Sequence, residues 1–216
     1  IFPEVAAPAT TLGPLKPGLA AETGLAKLNV VASLSHDTAC AVAACPAEDE
    51  RWAYISSGTW SLMGLEIPEP IITDACRELN FTNEIGYGGS IRLLKNIIGL
   101  WLVQECRRAW AAQGNEYSYA DLAEQAAAAE PYVSVLNPSE PRFLAPDDMP
   151  QRIADTCRET GQPIPGTPGA VVRCALESLS LLYARTLRES EKLVGWQANT
   201  VHIVGGGSRN ELLNQL

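Results

Sequence analysis

The sequence has little of what metal-binding and nucleic-acid-binding proteins usually carry. Its six cysteines and two histidines include no Cys-x-x-Cys pair, whereas a zinc site normally needs such closely spaced ligands. Acidic residues outnumber basic ones and give a formal net charge of −9, so the chain has no basic stripe for a phosphate backbone. We therefore expect neither a zinc site nor a nucleic-acid partner.

Long apolar runs and targeting signals are also missing. The longest near-continuous apolar run, residues 97–103, is too short to span a bilayer, and no signal peptide is visible. The scattered cysteines are typical of small apolar residues in a reducing compartment, although Cys157 and Cys174 could pair if two successive helices pack together. These features favour a cytoplasmic protein with no membrane partner.

Neither common nucleotide-binding fingerprint is present. No Gly-x-x-x-x-Gly-Lys-[Ser/Thr] segment occurs anywhere in the chain. The glycine run 205–207 is followed by Asn210 where the dinucleotide fingerprint requires glycine. Any nucleotide site in this protein must therefore be of another type.

Both ends of the chain are expected to be cuts through a longer protein. The chain begins with Ile1 in a stretch that holds four prolines before residue 18, which predicts an extended connection rather than a helix or a central strand. It stops at Leu216, a few residues into a predicted helix. We expect residues 1–24 to connect two domains, and residues 25–216 to form one domain that is incomplete at its C-terminal end.

Predicted strands and helices alternate along the chain, which indicates the α/β class. Residues 28–34 predict a buried strand, and residues 52–57 and 60–66 predict a hairpin around Gly58 and Thr59. The predicted helices span residues 39–44, 93–112, 118–130 and 149–161, and a further long helix is predicted to start at Thr167. After it, residues 200–204 predict a strand, and Ser208 to Glu211 predict the capping box of a last helix.

Three polar segments stand where α/β proteins commonly bind ligands. Asp37 follows the first predicted strand, where its carboxylate reaches the rim of a sheet; alternatively it bonds its own backbone in a turn. The hydroxyl-rich turn 56–59 can cradle phosphate oxygens, or it is an ordinary hairpin turn. The glycine run 205–207 leads into a helix N-terminus, which favours a polar or negative ligand. Taken singly, none of the three decides a function.

The order of these segments along the chain is more specific than any one of them. They read Ser-His-Asp-Thr-Ala at 35–39, Ser-Ser-Gly-Thr-Trp-Ser-Leu at 56–62 and Gly-Gly-Gly-Ser-Arg-Asn at 205–210. In this order they resemble the FGGY family of carbohydrate kinases. The segment Arg-Leu-Leu-Lys-Asn-Ile-Ile-Gly-Leu-Trp-Leu-Val-Gln at 92–104 narrows the resemblance to the subgroup that phosphorylates L-rhamnulose.

The resemblance implies an α/β domain of the actin-like, ribonuclease H-like ATPase type, with a mixed sheet flanked by helices. It implies a second, N-terminal kinase domain outside this chain, with the active site between the two domains. The implied reaction transfers a phosphoryl group from ATP, with Mg²⁺, to a small sugar and gives L-rhamnulose 1-phosphate. The isolated chain is then expected to be inactive.

The resemblance also implies roles for individual residues. Asp37 corresponds to the general base, which accepts the proton of the attacking hydroxyl. No residue of this chain is assigned to the metal, because the family takes its metal-ordering acid from the other domain. Without the resemblance, Asn96 and Gln104 are equally well explained as solvated or capping residues on a helix. The implied contacts are His36, Asp37, Thr38 and Asn96 for the sugar, with Asn96 at the start of its helix, and Thr59, Gln104 and Gly206 for the nucleotide.

Two other functions stay open at this point. One is another ketose kinase of the same family, acting on xylulose or fuculose. The other is a non-catalytic actin-like domain that binds a nucleotide or mediates assembly. The aspartate of the His-Asp-Thr motif favours an enzyme, because a pure binding module has no need of a base at Asp37.

Overall fold

The N-terminal part of the chain forms a small sheet of its own. The computed structural model describes residues 3–216, so Ile1 and Phe2 lie outside the described residues. Two antiparallel strands joined by one short helix make up this part, separately from the main sheet. They are β1 (Thr11–Pro14), α1 (Pro17–Thr23) and β2 (Asn29–Val31).

Two expectations for this part are wrong. The segment before residue 25 is not extended throughout, because it contains helix α1. Proline is compatible with this helix since Pro17 stands in the first turn, where the N–H that proline lacks would have no partner within the helix. The buried strand expected over 28–34 is the three-residue strand β2, and all three of its residues are exposed. An apolar run predicts a strand, but it does not determine which strand it pairs with. Here β2 pairs with β1 and not with the main sheet.

The centre of the fold is a mixed sheet. Within the described residues its strands are β3 (Trp52–Ser57), β4 (Trp60–Ile67), β5 (Thr82–Ile85), β6 (Ile91–Ile98) and β7 (Thr200–Val204). They stand in the order β5-β6-β4-β3-β7, in which β3 and β7 run parallel and all other neighbours run antiparallel. The hairpin predicted around Gly58 is confirmed as β3 and β4.

Helices cover both faces of the sheet. They are α2 (Asp37–Ala43), α3 (Asp74–Glu78), α4 (Trp101–Ala112), α5 (Tyr119–Ala128), α6 (Met149–Glu159), α7 (Pro168–Val194) and α8 (Glu211–Gln215). The predicted starts of α5 and α7 are confirmed: Ser118 and Asp121 form a capping box, and Thr167 caps α7 through the Ala170 N–H. Local signals are sufficient at these positions because the cap and the helix lie within four residues of each other.

The two faces of the sheet differ in what covers them. Helices α4 to α7 pack on the back face around residues such as Met63, Ile97 and Leu176, and this is the main apolar core. On the front face, the short helix α2 places Val42 against Trp52 and covers only part of the sheet. The uncovered part of the front face is therefore free to form a cavity.

The helix predicted over 93–112 is wrong in its first third. Residues 91–98 form strand β6, which pairs with β4 along its whole length, and helix α4 begins only at Trp101. The side chains of a strand alternate between its faces, so Leu93 and Ile97 are buried whereas Asn96 is exposed. The apolar residues over 93–103 match a helical period by accident, and tertiary pairing with β4 overrides it.

The capping box expected from Ser208 to Glu211 is also wrong. Residues 206–209 form a 3₁₀ turn in which the Ser208 hydroxyl donates to the Gly205 carbonyl at 2.7 Å. Helix α8 is capped two residues later, where Asn210 Oδ1 accepts the Leu213 N–H at 2.9 Å. The glycine run therefore turns tightly before the helix instead of leading straight into it.

Candidate functional site

A cavity of about 550 Å³ opens on the front face of the sheet, and we call it the front cavity. Its walls come from the start of α2, the ends of β3 and β4, and the exposed faces of β5 and β6. The residues that line it are His36, Asp37, Thr38, Ser56, Gly58, Trp60, Leu62, Asn80, Thr82, Glu84, Leu94 and Asn96. Polar side chains predominate in this lining, so the cavity suits a ligand rich in hydroxyl groups.

The start of α2 presents the Asp37 carboxylate to this cavity. The Thr38 N–H donates to Asp37 Oδ1 at 2.7 Å and also to His36 Nδ1 at 3.2 Å. The side chain of Asp37 is 98% exposed, and among the described residues its Oδ2 has no hydrogen-bond partner. One carboxylate oxygen is therefore held in place while the other points into open space, as a proton acceptor requires.

The His36 imidazole helps to orient this segment. Its Nδ1 accepts the Thr38 N–H at 3.2 Å and also lies 3.2 Å from Asp37 Oδ1. His36 is also the N-cap of α2, so it helps to satisfy the first turn of this short helix.

A second cavity, of about 590 Å³, lies between the β3–β4 turn, helices α4 and α5, and the glycine run 205–207; we call it the loop cavity. Its lining combines apolar side chains with a few polar groups. These are Gly58, Thr59, Leu100, Val103, Gln104, Tyr119, Ala120, Leu122, Ala123, Val172, Gly206, Gly207, Arg209 and Asn210. Such a lining suits a ligand with a flat apolar part and a polar or charged part.

The two cavities meet at the β3–β4 turn, because Gly58 lines both of them. This turn is tied to the start of α4: the Leu100 N–H donates to the Gly58 carbonyl at 2.8 Å, and the Trp101 N–H to the Thr59 carbonyl at 3.1 Å. A Cβ atom at Gly99 would lie 2.5 Å from the Gly58 carbonyl oxygen, so only glycine allows this approach. This tied turn therefore fixes the boundary between the two adjoining cavities.

The glycine run packs directly on the end of β3. A Cβ atom at Gly205 would lie 2.7 Å from the Ser57 carbonyl oxygen, and one at Gly207 would lie 2.0 Å from Ser57 Oγ. A Cβ atom at Gly206 would have no neighbour within 4 Å, so this residue faces the loop cavity. The outer two glycines thus serve packing, and the middle one leaves the backbone accessible to a ligand.

This packing leads to a first prediction. Gly207→Ala is expected to destabilise the protein by about 1–3 kcal/mol, because the new methyl group overlaps Ser57 in a closely packed region. The matched control is Gly206→Ala, where the methyl group meets open space and the free energy of unfolding should change by no more than about 0.5 kcal/mol. Urea unfolding of both variants measures the difference. Equal stability of the two variants would contradict the packing described for the glycine run.

All seven residues singled out in the sequence line these cavities. Asn96 lies on strand β6, not at the start of a helix as expected, and it reaches the front cavity because alternate residues of β6 share the front face. The others stand where the motifs place them: His36, Asp37 and Thr38 line the front cavity, and Thr59, Gln104 and Gly206 line the loop cavity.

Sequence reasoning missed several lining residues. Thr82 and Glu84 in the front cavity belong to no motif, and neither do Tyr119 and Arg209 in the loop cavity. No sequence signal could have placed Glu84 and Asn96 on one face of a sheet, because polar and apolar residues do not alternate strictly in 82–85 or 91–98 and the second segment fits a helical period.

The cysteines carry no part of this site. In the described part of the chain Cys157 and Cys174 are buried free thiols, so the disulfide considered for them is not formed. Burial raises the pKa of Cys174 to about 11, which keeps this thiol protonated and unreactive at neutral pH.

Residues 3–216 contain no group of three or more His, Cys, Asp or Glu side chains placed to hold a metal ion. No helix in the same range is long and apolar enough to cross a membrane.

The fold and its adjoining cavities define an α/β domain with room for two ligands side by side. A family model described as the C-terminal domain of the FGGY family of carbohydrate kinases matches residues 53–216. The chain belongs to this family.

Two curated relatives of the chain carry a name that is more specific than the family description. The chain is 48% identical over 208 residues to a rhamnulokinase of Bacteroides thetaiotaomicron and 42% identical over 215 residues to a rhamnulokinase of Bacillus subtilis. These alignments cover 96% and 100% of the chain, but 42% and 44% of the two relatives. The chain thus spans less than half the length of the relatives that it matches.

Solved structures confirm the fold class. The chain is similar to a gluconate kinase from Lactobacillus acidophilus with a TM-score of 0.66 at 14% identity, over 99% of this chain and 42% of that one. It is similar to a Plasmodium falciparum glycerol kinase solved with ADP with a TM-score of 0.64 at 14% identity, over 99% and 41% of the two chains. The expected actin-like, ribonuclease H-like domain, with a mixed sheet flanked by helices, is therefore confirmed.

Proposed function

We propose that this chain is the C-terminal domain of an ATP-dependent kinase that phosphorylates L-rhamnulose at its primary hydroxyl and gives L-rhamnulose 1-phosphate. The observation that carries the proposal is that the two cavities meet at Gly58. A sugar in the front cavity and a nucleotide in the loop cavity would face each other across the β3–β4 turn. The rhamnulokinase relatives support L-rhamnulose as the sugar.

Asp37 would act as the general base. The Thr38 N–H holds Oδ1, so Oδ2 is the oxygen left to accept the proton of the attacking sugar hydroxyl. As the hydroxyl loses this proton, its oxygen becomes the nucleophile that attacks the γ-phosphorus of ATP. His36, Thr38 and Asn96 would orient the sugar, because their side chains line the same cavity around Asp37. Orientation of the two reacting groups supplies most of the catalysis in phosphoryl transfer.

The loop cavity would hold ATP. Thr59 lies on the turn shared with the front cavity and would contact the phosphates, while Gly206 has no side chain and lets the phosphates or the adenosine approach its backbone. Gln104 on α4 would bond the nucleotide through its amide. Apolar residues such as Leu100 and Leu122 would pack against the adenine ring.

Mg²⁺ is expected as in other kinases, where it neutralises the charge that develops on the phosphates. The described residues offer no set of ligands for it. We therefore assign no residue of this chain to the metal and expect the ion to arrive with the ATP phosphates.

The remaining parts of the proposal concern the rest of the protein. We propose that a preceding kinase domain completes the site, with residues 1–24 as its connection to residues 25–216, since the chain covers 42% and 44% of its two rhamnulokinase relatives. We also propose a cytoplasmic location, which the free cysteines support because such thiols persist in a reducing compartment.

An assay of ADP release by the full-length protein tests this function. L-Rhamnulose is expected to give the highest kcat/KM, with turnover in the usual kinase range of about 1–100 per second. L-Fuculose and D-xylulose are the comparison sugars, and a reaction without sugar gives the background. Preference for either comparison sugar would move the proposal to another ketose kinase. Nucleotide binding without turnover on any sugar would favour a non-catalytic actin-like domain.

A further inference from the structure

The N-terminal part of the chain leaves its apolar side chains in water. No residue of β1, α1 or β2 is buried, and the first buried residue of the described chain is Thr38. The pairing of Thr11 with Val31 brings the two strands side by side. We call the exposed apolar residues of this part the N-terminal apolar surface. They are Val5, Leu12, Leu19, Leu25, Leu28, Val30 and Val31, with exposed fractions between 38% and 91%.

This part of the chain has too little packing of its own to be stable. It consists of one short helix and a two-stranded sheet that is separate from the main sheet. An isolated two-stranded sheet is marginally stable at best in water and needs further strands or packing on an apolar face. Only four of residues 3–34 are charged, so the surface suits an apolar contact rather than an ionic one. The packing that this part lacks has to come from outside the described residues.

The extent of the family match indicates which part of the protein supplies this packing. The Bacillus subtilis rhamnulokinase aligns with the whole chain, but the match to the C-terminal kinase domain begins only at residue 53. More than half of the length of that relative lies outside this chain. A surface provided by this remainder is tied to the N-terminal segment through the backbone. Its effective concentration is therefore high, and no second copy of the chain is needed to cover the apolar residues.

The same segment leads directly to the proposed base. Strand β2 ends at Val31, and Asp37 begins α2 six residues later, which is at most about 20 Å of extended chain. On its other side α2 is held by the main sheet, because Val42 packs against Trp52. The position of Asp37 therefore depends on where β2 is fixed as well as on the main sheet.

We propose that the N-terminal apolar surface docks on the preceding domain of the same protein and that this contact fixes the strand leading to Asp37. The docking follows from the exposed apolar residues and the extent of the family match. Its consequence for Asp37 rests on the proposed function, in which this residue is the base. The segment before α2 is then a structural contact between the two domains, and residues such as Leu12 position the base without touching the sugar.

Hydrogen exchange in the full-length protein is the first test, and it needs neither a variant nor a sugar. The amides of β1 and β2 should exchange at least about 100-fold more slowly than in an unfolded chain, because docked strands open only together with the domain that covers them. A two-stranded sheet left in water should slow exchange by about 10-fold or less. Slowing below about 100-fold overturns the docking. Slowing that disappears on dilution also overturns it, because a second copy would then cover the surface.

The second test asks whether the docking positions Asp37. In the full-length protein, Leu12→Lys places a charge in the proposed apolar contact, where its burial is unfavourable. We expect kcat for L-rhamnulose to fall by about 10- to 100-fold, because a small misplacement of a reacting group lowers rates by this order. The dissociation constant for ATP should change by less than about twofold, since no residue before Gly58 lines the loop cavity.

Ile72→Lys is the matched control, and Leu12→Met is the conservative variant. Ile72 is also an exposed aliphatic residue, but it lies within the family match and lines neither cavity. Both variants should keep the kcat of the unaltered protein. If Leu12→Lys does not fold, Leu12→Ala gives the same comparison, because it shortens the side chain without adding a charge.

Three outcomes of this comparison overturn the positioning of Asp37. They are an unchanged kcat in Leu12→Lys, an equal loss in Ile72→Lys, and a parallel loss of kcat and ATP affinity, since a general loss of structure affects both ligands. If the unaltered protein turns over no sugar, the proposed function itself has failed. Hydrogen exchange at β1 and β2 still decides the docking in that case.

Discussion

Replacing Asp37 by asparagine in the full-length protein is expected to lower kcat for L-rhamnulose by about 10²- to 10⁴-fold, the usual contribution of a general base. Asparagine has nearly the same shape and can still accept the Thr38 N–H that now bonds Oδ1. It cannot take up the proton of the sugar hydroxyl, because the free oxygen is replaced by an amide nitrogen. The variant should therefore keep its fold and lose its chemistry.

ATP affinity should be nearly unchanged in this variant, since Asp37 lines the front cavity and not the loop cavity. Steady-state kinetics give kcat, and calorimetric titration with ATP gives the dissociation constant. The matched control is Asp74→Asn: like Asp37, Asp74 is the first residue of a short helix after an N-cap, and it lines neither cavity. A loss of only a few-fold in Asp37→Asn, or an equal loss in Asp74→Asn, would reject Asp37 as the base.

The 216-residue chain by itself is expected to show no turnover with any sugar. The Asp37 side chain is 98% exposed, and the described residues hold no ligand set for a metal. In the proposed enzyme a second domain closes over the sugar, excludes water and aligns the hydroxyl with the γ-phosphate. Loss of this orientation alone can raise the barrier by about 7–11 kcal/mol, which is a factor of at least 10⁵ in rate.

An ADP-release assay on the purified chain checks this expectation, with L-rhamnulose, L-fuculose and D-xylulose at millimolar concentration. The full-length protein serves as the positive control, and circular dichroism before the assay shows that the chain is folded. Turnover of the folded chain near about 1–100 per second, the usual kinase range, would show that the whole site lies within these 216 residues. The proposal of a second contributing domain would then be wrong.

Much of the fold could be predicted because its signals are local. The hairpin of β3 and β4 follows from two apolar segments around Gly58, and the starts of α5 and α7 follow from caps at Ser118 and Thr167. In each case the residues that decide the conformation lie within a few positions of one another. The resemblance to the kinase family rests on equally short motifs, and it is confirmed by the family match over residues 53–216.

The conformation of residues 91–98 was decided by tertiary structure. Their apolar residues fit both a strand and a helix, and eight paired positions on β4 select the strand. The cap of α8 was also decided by the surrounding structure. The 3₁₀ turn of the glycine run moves the N-cap of this helix from the expected Ser208 to Asn210. Local patterns of this kind rank two conformations nearly equally, so the neighbouring strand or turn makes the choice.

The sequence by itself determined the family, the α/β class and the identity of the motif residues, because these depend on residue types in a fixed order. Only the tertiary structure decided that Asp37 and Asn96 line one cavity, that Glu84 lines it with them, and that the loop cavity adjoins it at Gly58. These residues come from different elements, and their proximity depends on strand order and register. Register is set by the pairing of whole strands, which no short motif encodes.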